Sequence, residues 1–136
     1  MANRTSPSLE LGLVRVGDCM HRGILSCTAD APLSEVAGVM ARHRVHAVVV
    51  TNGESTQPVG VVSDLDVVAA GVSGEEPTAL QAAATEPLSA STSESLQRAA
   101  QLMAEHGVSH LVVRDASSGE PVGILSTLDI AAVYAG

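Results

Sequence analysis

The chain aligns with itself, without a gap, at an offset of 63 residues. Leu33, Ala37, Met40 and His43 fall on Leu96, Ala100, Met103 and His106. Val45, Val49 and Val50 fall on Val108, Val112 and Val113, and Pro58-Val59-Gly60 falls on Pro121-Val122-Gly123. Ser63, Leu65, Asp66 and Ala69 fall on Ser126, Leu128, Asp129 and Ala132. An apolar-rich chain matches itself at apolar positions through composition alone, so the Gly, Pro, His, Ser and Asp matches carry the argument. A repeat of this size is marginal alone, whereas two copies can bury their apolar faces together. The repeat therefore restricts the chain to a fold of two like halves.

Each half reads in the same order. Ile24–Cys27 and Leu88–Ser91 are short apolar strands. Leu33, Val36, Ala37 and Met40 lie at i, i+3, i+4 and i+7, one helical face, repeated by Leu96, Ala99, Ala100 and Met103. Asp30 and Ser93 stand where N-caps are expected, with Pro32 in the first turn. Strands are expected at His46–Thr51 and Ser109–Arg114, then a polar turn (Asn52–Thr56, Asp115–Gly119) and strands at Val59–Ser63 and Val122–Ser126. Helices follow at Asp64–Ala70 and Thr127–Ala135. The expected fold is α+β: two β-α-β-β-α repeats related by a pseudo-twofold axis, their sheets packed against each other and helices outside. The expected divisions are an N-terminal segment 1–15, a repeat 16–71, a linker 72–78 and a repeat 79–136. Residues 1–15 read as loosely ordered, although Leu11, Leu13 and Val14 could join the core.

Composition excludes several functions. Seven arginines, no lysine and 15 acids give a formal net charge of −8. Nucleic-acid affinity rests on neutralising phosphates with basic side chains, so no nucleic-acid partner is expected. An anionic membrane should repel the chain, and no apolar run approaches the length of a bilayer span. No charged-then-apolar leader is visible, and a cytoplasmic location is expected. With no Phe or Trp and one Tyr, a bound base would lie between aliphatic side chains rather than stack on aromatic rings. Cys19 and Cys27 lack zinc-site spacing and read as small buried hydrophobes.

The motifs Gly60-Val61-Val62-Ser63-Asp64-Leu65-Asp66 and Gly123-Ile124-Leu125-Ser126-Thr127-Leu128-Asp129, with Val45–Val50 and Val108–Val113 upstream, resemble the CBS domain, named after cystathionine beta-synthase. Two such repeats form the module called a Bateman domain, and the likeness spans about Val16 to Ala135. It implies a stand-alone regulatory module that binds an adenosine-type ligand (AMP, ADP, ATP, S-adenosylmethionine or NAD) in clefts between the repeats. It also implies a homodimer and a regulated partner protein, with no required cofactor. Each cleft draws on both repeats. Ser126 and Asp129, with Ile124, would work with Ile24, Leu25, Val45, His46 and Ala47. Ser63 and Asp66, with Val61, would work with Pro87, Leu88, Val108, Ser109 and His110.

The residue chemistry is consistent with that implication. Ser63 and Ser126 should end strands where helices begin. The first helix amides lack internal partners and, with the helix dipole, favour a phosphate. Asp66 and Asp129, three residues on, can accept both hydroxyls of a ribose cis-diol. Ser-x-x-Asp is also close to a helix-capping box, and both roles can hold. His46 and His110 are candidate phosphate contacts, and binding through them should strengthen toward acid pH. Asp64 opposes a phosphate beside Ser63 while its counterpart Thr127 does not, so the two clefts should differ. His43 and His106 end helices, which favours a dipole role over metal binding. No nucleophile–base pair or catalytic motif is present, so no enzymatic activity is expected. The alternative is a structural dimerisation or scaffold module with empty clefts.

Overall fold

A computed structural model describes residues 7–136. The element order is α1 (Pro7–Leu13), α2 (Val16–Cys19), β1 (His21–Arg22), β2 (Ser26–Thr28), α3 (Leu33–His43), β3 (Ala47–Thr51), β4 (Pro58–Ser63) and α4 (Asp64–Ser73). It continues with α5 (Ala79–Ala82), β5 (Ala84–Thr85), β6 (Ser89–Ser91), α6 (Leu96–His106), β7 (His110–Arg114), β8 (Pro121–Ser126) and α7 (Thr127–Ala135). From α2 onward every element of the first repeat starts 63 residues before its counterpart. The expected α+β class and the strand-helix-hairpin-helix frame are present in both copies.

The chain forms two compact units. One is residues Ile24–Pro87; the other joins the described residues up to Gly23 to Leu88–Gly136. The first unit holds an open sheet of order β2-β3-β4-β5, and the second an open sheet of order β1-β8-β7-β6. In each, a parallel pair (β2 with β3, β6 with β7) is extended by an antiparallel hairpin (β3 with β4, β7 with β8). The edge position beyond the hairpin is filled by the leading strand of the other repeat. β1 pairs with β8 in the register His21 to Ile124 and Arg22 to Gly123. β5 pairs with β4 in the register Ala84 to Val61 and Thr85 to Gly60.

The short helices α2 and α5 travel with these strands. Val16 and Gly17 donate to the carbonyls of Glu94 and Thr92, as Ala79 and Leu80 donate to Ala31 and Ala29. In return the first amides of α6 and α3, at Leu96 and Leu33, donate to the carbonyls of Val14 and Pro77. These bonds fix where the two long helices begin, two residues later than the expected caps. Ser95 caps α6 by accepting from the Arg98 amide, whereas Pro32 occupies the cap position of α3 without a side-chain bond. Asp30 and Ser93 are therefore not N-caps. Asp30 accepts from the Thr28 hydroxyl, and the Ser93 amide donates to Ser91 Oγ, both within the turn that precedes the helix.

Each unit has its own core. In Ile24–Pro87 it comprises Leu33, Val36 and Met40 of α3, Val48 and Val50 of β3, Val62 of β4 and Ala79 of α5. In the other unit Leu96, Ala99 and Met103 of α6 meet Leu111, Val113 and Leu125 of the hairpin, with Val16, Met20 and Leu11 of the leading segment. Leu11 and Val14 thus join a core as the sequence allows, while Leu13 is exposed. Helix α4 continues through Gly71 to Ser73 and ends at Gly74 in the left-handed conformation. The linker is correspondingly shorter than the run of turn residues suggests.

Candidate functional site

Both Ser-x-x-Asp motifs sit where a strand runs directly into a helix. Ser63 ends β4 and is the N-cap of α4; Ser126 ends β8 and is the N-cap of α7. Each forms a reciprocal capping box. The Ser63 amide and hydroxyl donate to Asp66 Oδ2 at 2.8 and 3.1 Å, and the Asp66 amide donates back to Ser63 Oγ at 3.4 Å. The corresponding distances for Ser126 and Asp129 are 2.8, 3.1 and 3.3 Å. Capping is therefore realised in both copies. It engages one carboxylate oxygen, Oδ2, and leaves Oδ1 to other partners.

The two Oδ1 atoms differ. His21 Nε2 lies 2.9 Å from Asp129 Oδ1, with the Asp129 side chain 9% exposed and His21 75% exposed. His21 comes from β1, the exchanged strand, and its counterpart on β5 is Ala84. Asp66 has no comparable partner among the described residues. Nothing in the local sequence pattern marks His21. It belongs to one copy only, and its partner lies at the far end of the chain.

The hairpin brings further expected residues to the same sheet end. In the unit Ile24–Pro87, Ala47 is opposite Ser63, and the Asp64 amide donates to the His46 carbonyl. His46 Nδ1 is 2.8 Å from Asp64 Oδ2, both side chains being more than half exposed. The expected anionic neighbour of Ser63 is thus already engaged with the expected cationic one. In the other unit His110 is opposite Ser126, the Thr127 amide donates to the Ser109 carbonyl, and Ser109 Oγ is 2.9 Å from His110 Nδ1. Just before β2 and β6, Leu25 and Leu88 accept through their carbonyls from Val49 and Val112. Ile24, Val45, Pro87, Val108 and Ile124 are half-buried, and Val61 is buried in β4. Ile24, Leu25, Val45, His46, Ala47, Val61 and Pro87 share a unit with Ser63 and Asp66; Leu88, Val108, Ser109, His110 and Ile124 share one with Ser126 and Asp129.

A hollow of about 530 Å³ runs along α4, lined by Asp66, Ala69, Ala70 and Ser73. Glu75 and Glu76 line it too, which makes it acidic. Its volume is within the few hundred to about a thousand Å³ of small-molecule sites.

Cys19 and Cys27 are free, half-buried thiols packed against the two cores. Burial pushes both thiols up; Asp18 and Asp129 add to this at Cys19, and Glu35 at Cys27. Among the described residues no helix is long and apolar enough to cross a membrane, and no three His, Cys, Asp or Glu side chains are grouped to hold a metal ion.

Comparison with known proteins bears on these motifs. The family model of the CBS domain matches residues 16–73 and 81–136. A CBS domain protein from Pyrobaculum aerophilum, complexed with AMP, is 29% identical, covering 90% of this chain and 98% of that one with a TM-score of 0.77. The CBS domain pair of protein MJ0100, in complex with 5-methylthioadenosine and S-adenosyl-L-methionine, is 20% identical, with coverages of 90% and 97% and a TM-score of 0.81. The CBS domain of a bacterial CNNM/CorC family Mg2+ transporter, in complex with ATP, is 20% identical, with coverages of 96% and 93% and a TM-score of 0.77. No curated protein matches.

Proposed function

Because the chain belongs to the CBS-domain family, we propose that it is a non-catalytic, cytoplasmic sensing module whose two Ser-x-x-Asp motifs hold an adenosine-type ligand and whose occupancy modulates a partner protein. The observation that carries this reading is the duplicated helix entrance. Ser63 with Asp66, and Ser126 with Asp129, present the same carboxylate geometry at the mouths of α4 and α7. Each Asp uses Oδ2 for its cap, so Oδ1 is the atom aimed at a ribose hydroxyl. The AMP held by the Pyrobaculum aerophilum relative supports the ligand class. The base would be read by the backbone and aliphatic side chains of Ile24, Leu25, Val45, Ala47, Val61, Pro87, Leu88, Val108 and Ile124. Ser109 and the two histidines, His46 and His110, flank the ligand's tail.

Electrostatics narrow the ligand. His46 is paired with Asp64, and the hollow beside Asp66 is lined with glutamates. The chain has no lysine and a net charge of −8. A polyphosphate meets repulsion here, and a monophosphate or a cationic adenosyl group meets less. AMP and S-adenosylmethionine are therefore expected to bind more tightly than ATP. Thermal melts with each ligand test this: saturation at about 100 times the dissociation constant stabilises by about 2.7 kcal/mol. A melting temperature unmoved by any of the three at millimolar concentration refutes the sensing function.

One observation favours a second role alongside it. Helix α4 exposes Leu65, Val68 and Val72 along one face, and α7 exposes Leu128 and Tyr134. The stripe on α4 suits burial against a second copy of the chain, and a homodimer is proposed. If the module served only as a scaffold, Asp66→Ala with Asp129→Ala would leave all its interactions intact.

A further inference from the structure

Resting on the reading of the Ser-x-x-Asp motifs as ligand grips, we propose that His21 ranks the two sites for the ribose, latching the Asp129 carboxylate so that a nucleoside without a phosphate fills the Asp66 site first. The capping boxes are alike to within 0.1 Å, so they do not separate the sites. Asp64, Glu75 and Glu76 near Asp66 act on a phosphate; the difference that acts on the ribose is at the second oxygen. Asp129 Oδ1 already accepts from His21 Nε2 at 2.9 Å. At Asp66 the same position of the exchanged strand carries Ala84, whose methyl group offers no donor.

His21 is well placed for this work. Its backbone is registered on β8 opposite Ile124, two residues before the Ser126 cap, so the ring is delivered to the helix entrance by sheet pairing. The ring itself is largely exposed, so it can swing away without disturbing the core. Asp18 and Asp129 both act on the Cys19 thiol, and Asp129 is the carboxylate within hydrogen-bond distance of the His21 ring. A ribose diol approaching Asp129 must displace an imidazole, and one approaching Asp66 need not. An exposed ion pair and a hydrogen bond to a charged group bracket the penalty, giving about three- to tenfold in affinity.

The test is calorimetric titration of the full chain with adenosine, which has no phosphate for Asp64, Glu75 and Glu76 to repel, using His21→Ala, Ala84→His and Asp66→Ala, each with its melting temperature. Wild type should show two classes of site, the tighter one lost in Asp66→Ala. His21→Ala should tighten the weaker class three- to tenfold, and Ala84→His should weaken the tighter class by building a latch on Asp66. Two equal classes in wild type, or a weaker class that His21→Ala leaves unchanged or loosens, overturns the latch and leaves the ligand function standing. Absence of adenosine binding in every variant removes the ribose grip and the latch with it.

Discussion

Replacing Gly123 by alanine tests whether the exchanged strand β1 is integral to the fold. Gly123 is buried in β8 opposite Arg22, where β1 crosses close to it. An added Cβ overlaps the His21 carbonyl oxygen and lies 3.0 Å from Met20 Sδ and 3.3 Å from the His21 carbonyl carbon. The thioether can move aside; a backbone carbonyl can do so only if β1 lifts. Lifting it strains the β1–β8 bonds, including Gly23 N–H to the Val122 carbonyl, and loosens Val16 and Met20, both in the core. Overpacking of this kind costs about 1–3 kcal/mol, and the backbone clash puts Gly123→Ala at the upper end. Gly60→Ala is the internal control. There the new Cβ meets the Ala83 Cβ at 2.9 Å and the Ala84 carbonyl at 3.1 Å, a smaller displacement worth about 1 kcal/mol. Urea denaturation followed by far-ultraviolet circular dichroism measures both, and the chain's lack of tryptophan makes that probe preferable to fluorescence. Gly123→Ala within about 0.5 kcal/mol of wild type, a routine surface effect, or Gly60→Ala costing as much as Gly123→Ala, refutes the reasoning.

Two further outcomes follow from the repeat and from burial. Arg44 ends α3 in the left-handed conformation at φ 53°, where its counterpart ending α6 is Gly107 at φ 63°; Arg44→Gly should raise stability by about 0.5–1 kcal/mol in the same denaturation assay. The thiols of Cys19 and Cys27 are raised by folding, so their stabilising share is whole below the unfolded thiol's pKa of about 8.5 and is lost as pH climbs through the folded value. Iodoacetamide should label the native chain more slowly than the urea-unfolded chain, with the gap closing at alkaline pH.

Much of this fold is written in local pattern. The faces Leu33-Val36-Met40 and Leu96-Ala99-Met103, the valine strands and the two Ser-x-x-Asp boxes each lie within a dozen residues, where periodicity and capping chemistry are legible. The exchange of leading segments is not. Helix α2 is Val16–Cys19 and β1 is His21–Arg22, too short to carry a period of 3.6 or 2. Ala79–Ala82 lies in an alanine-rich stretch that names no partner. What makes these pieces ordered is distant: the Glu94 and Thr92 carbonyls for one, Ala31 and Ala29 for the other. The same distance hid the start of α3 and α6, fixed by Pro77 and Val14, and hid the meeting of His21 with Asp129. The pairing of Ser63 with Asp66 and of Ser126 with Asp129 as helix caps is legible because its geometry is made by four consecutive positions.

The crossed connectivity of β1 and β5 has a consequence for dissection of the chain. Cutting it near Gly74 would give two fragments, each missing the edge strand that completes its own sheet and each carrying the strand its sibling needs. Mixed in solution, they would have to find each other at whatever concentration the experimenter chose. In the intact chain the few residues from Gly74 to Thr78 hold that encounter at the high local concentration set by a short tether, so completion of either sheet does not depend on dilution.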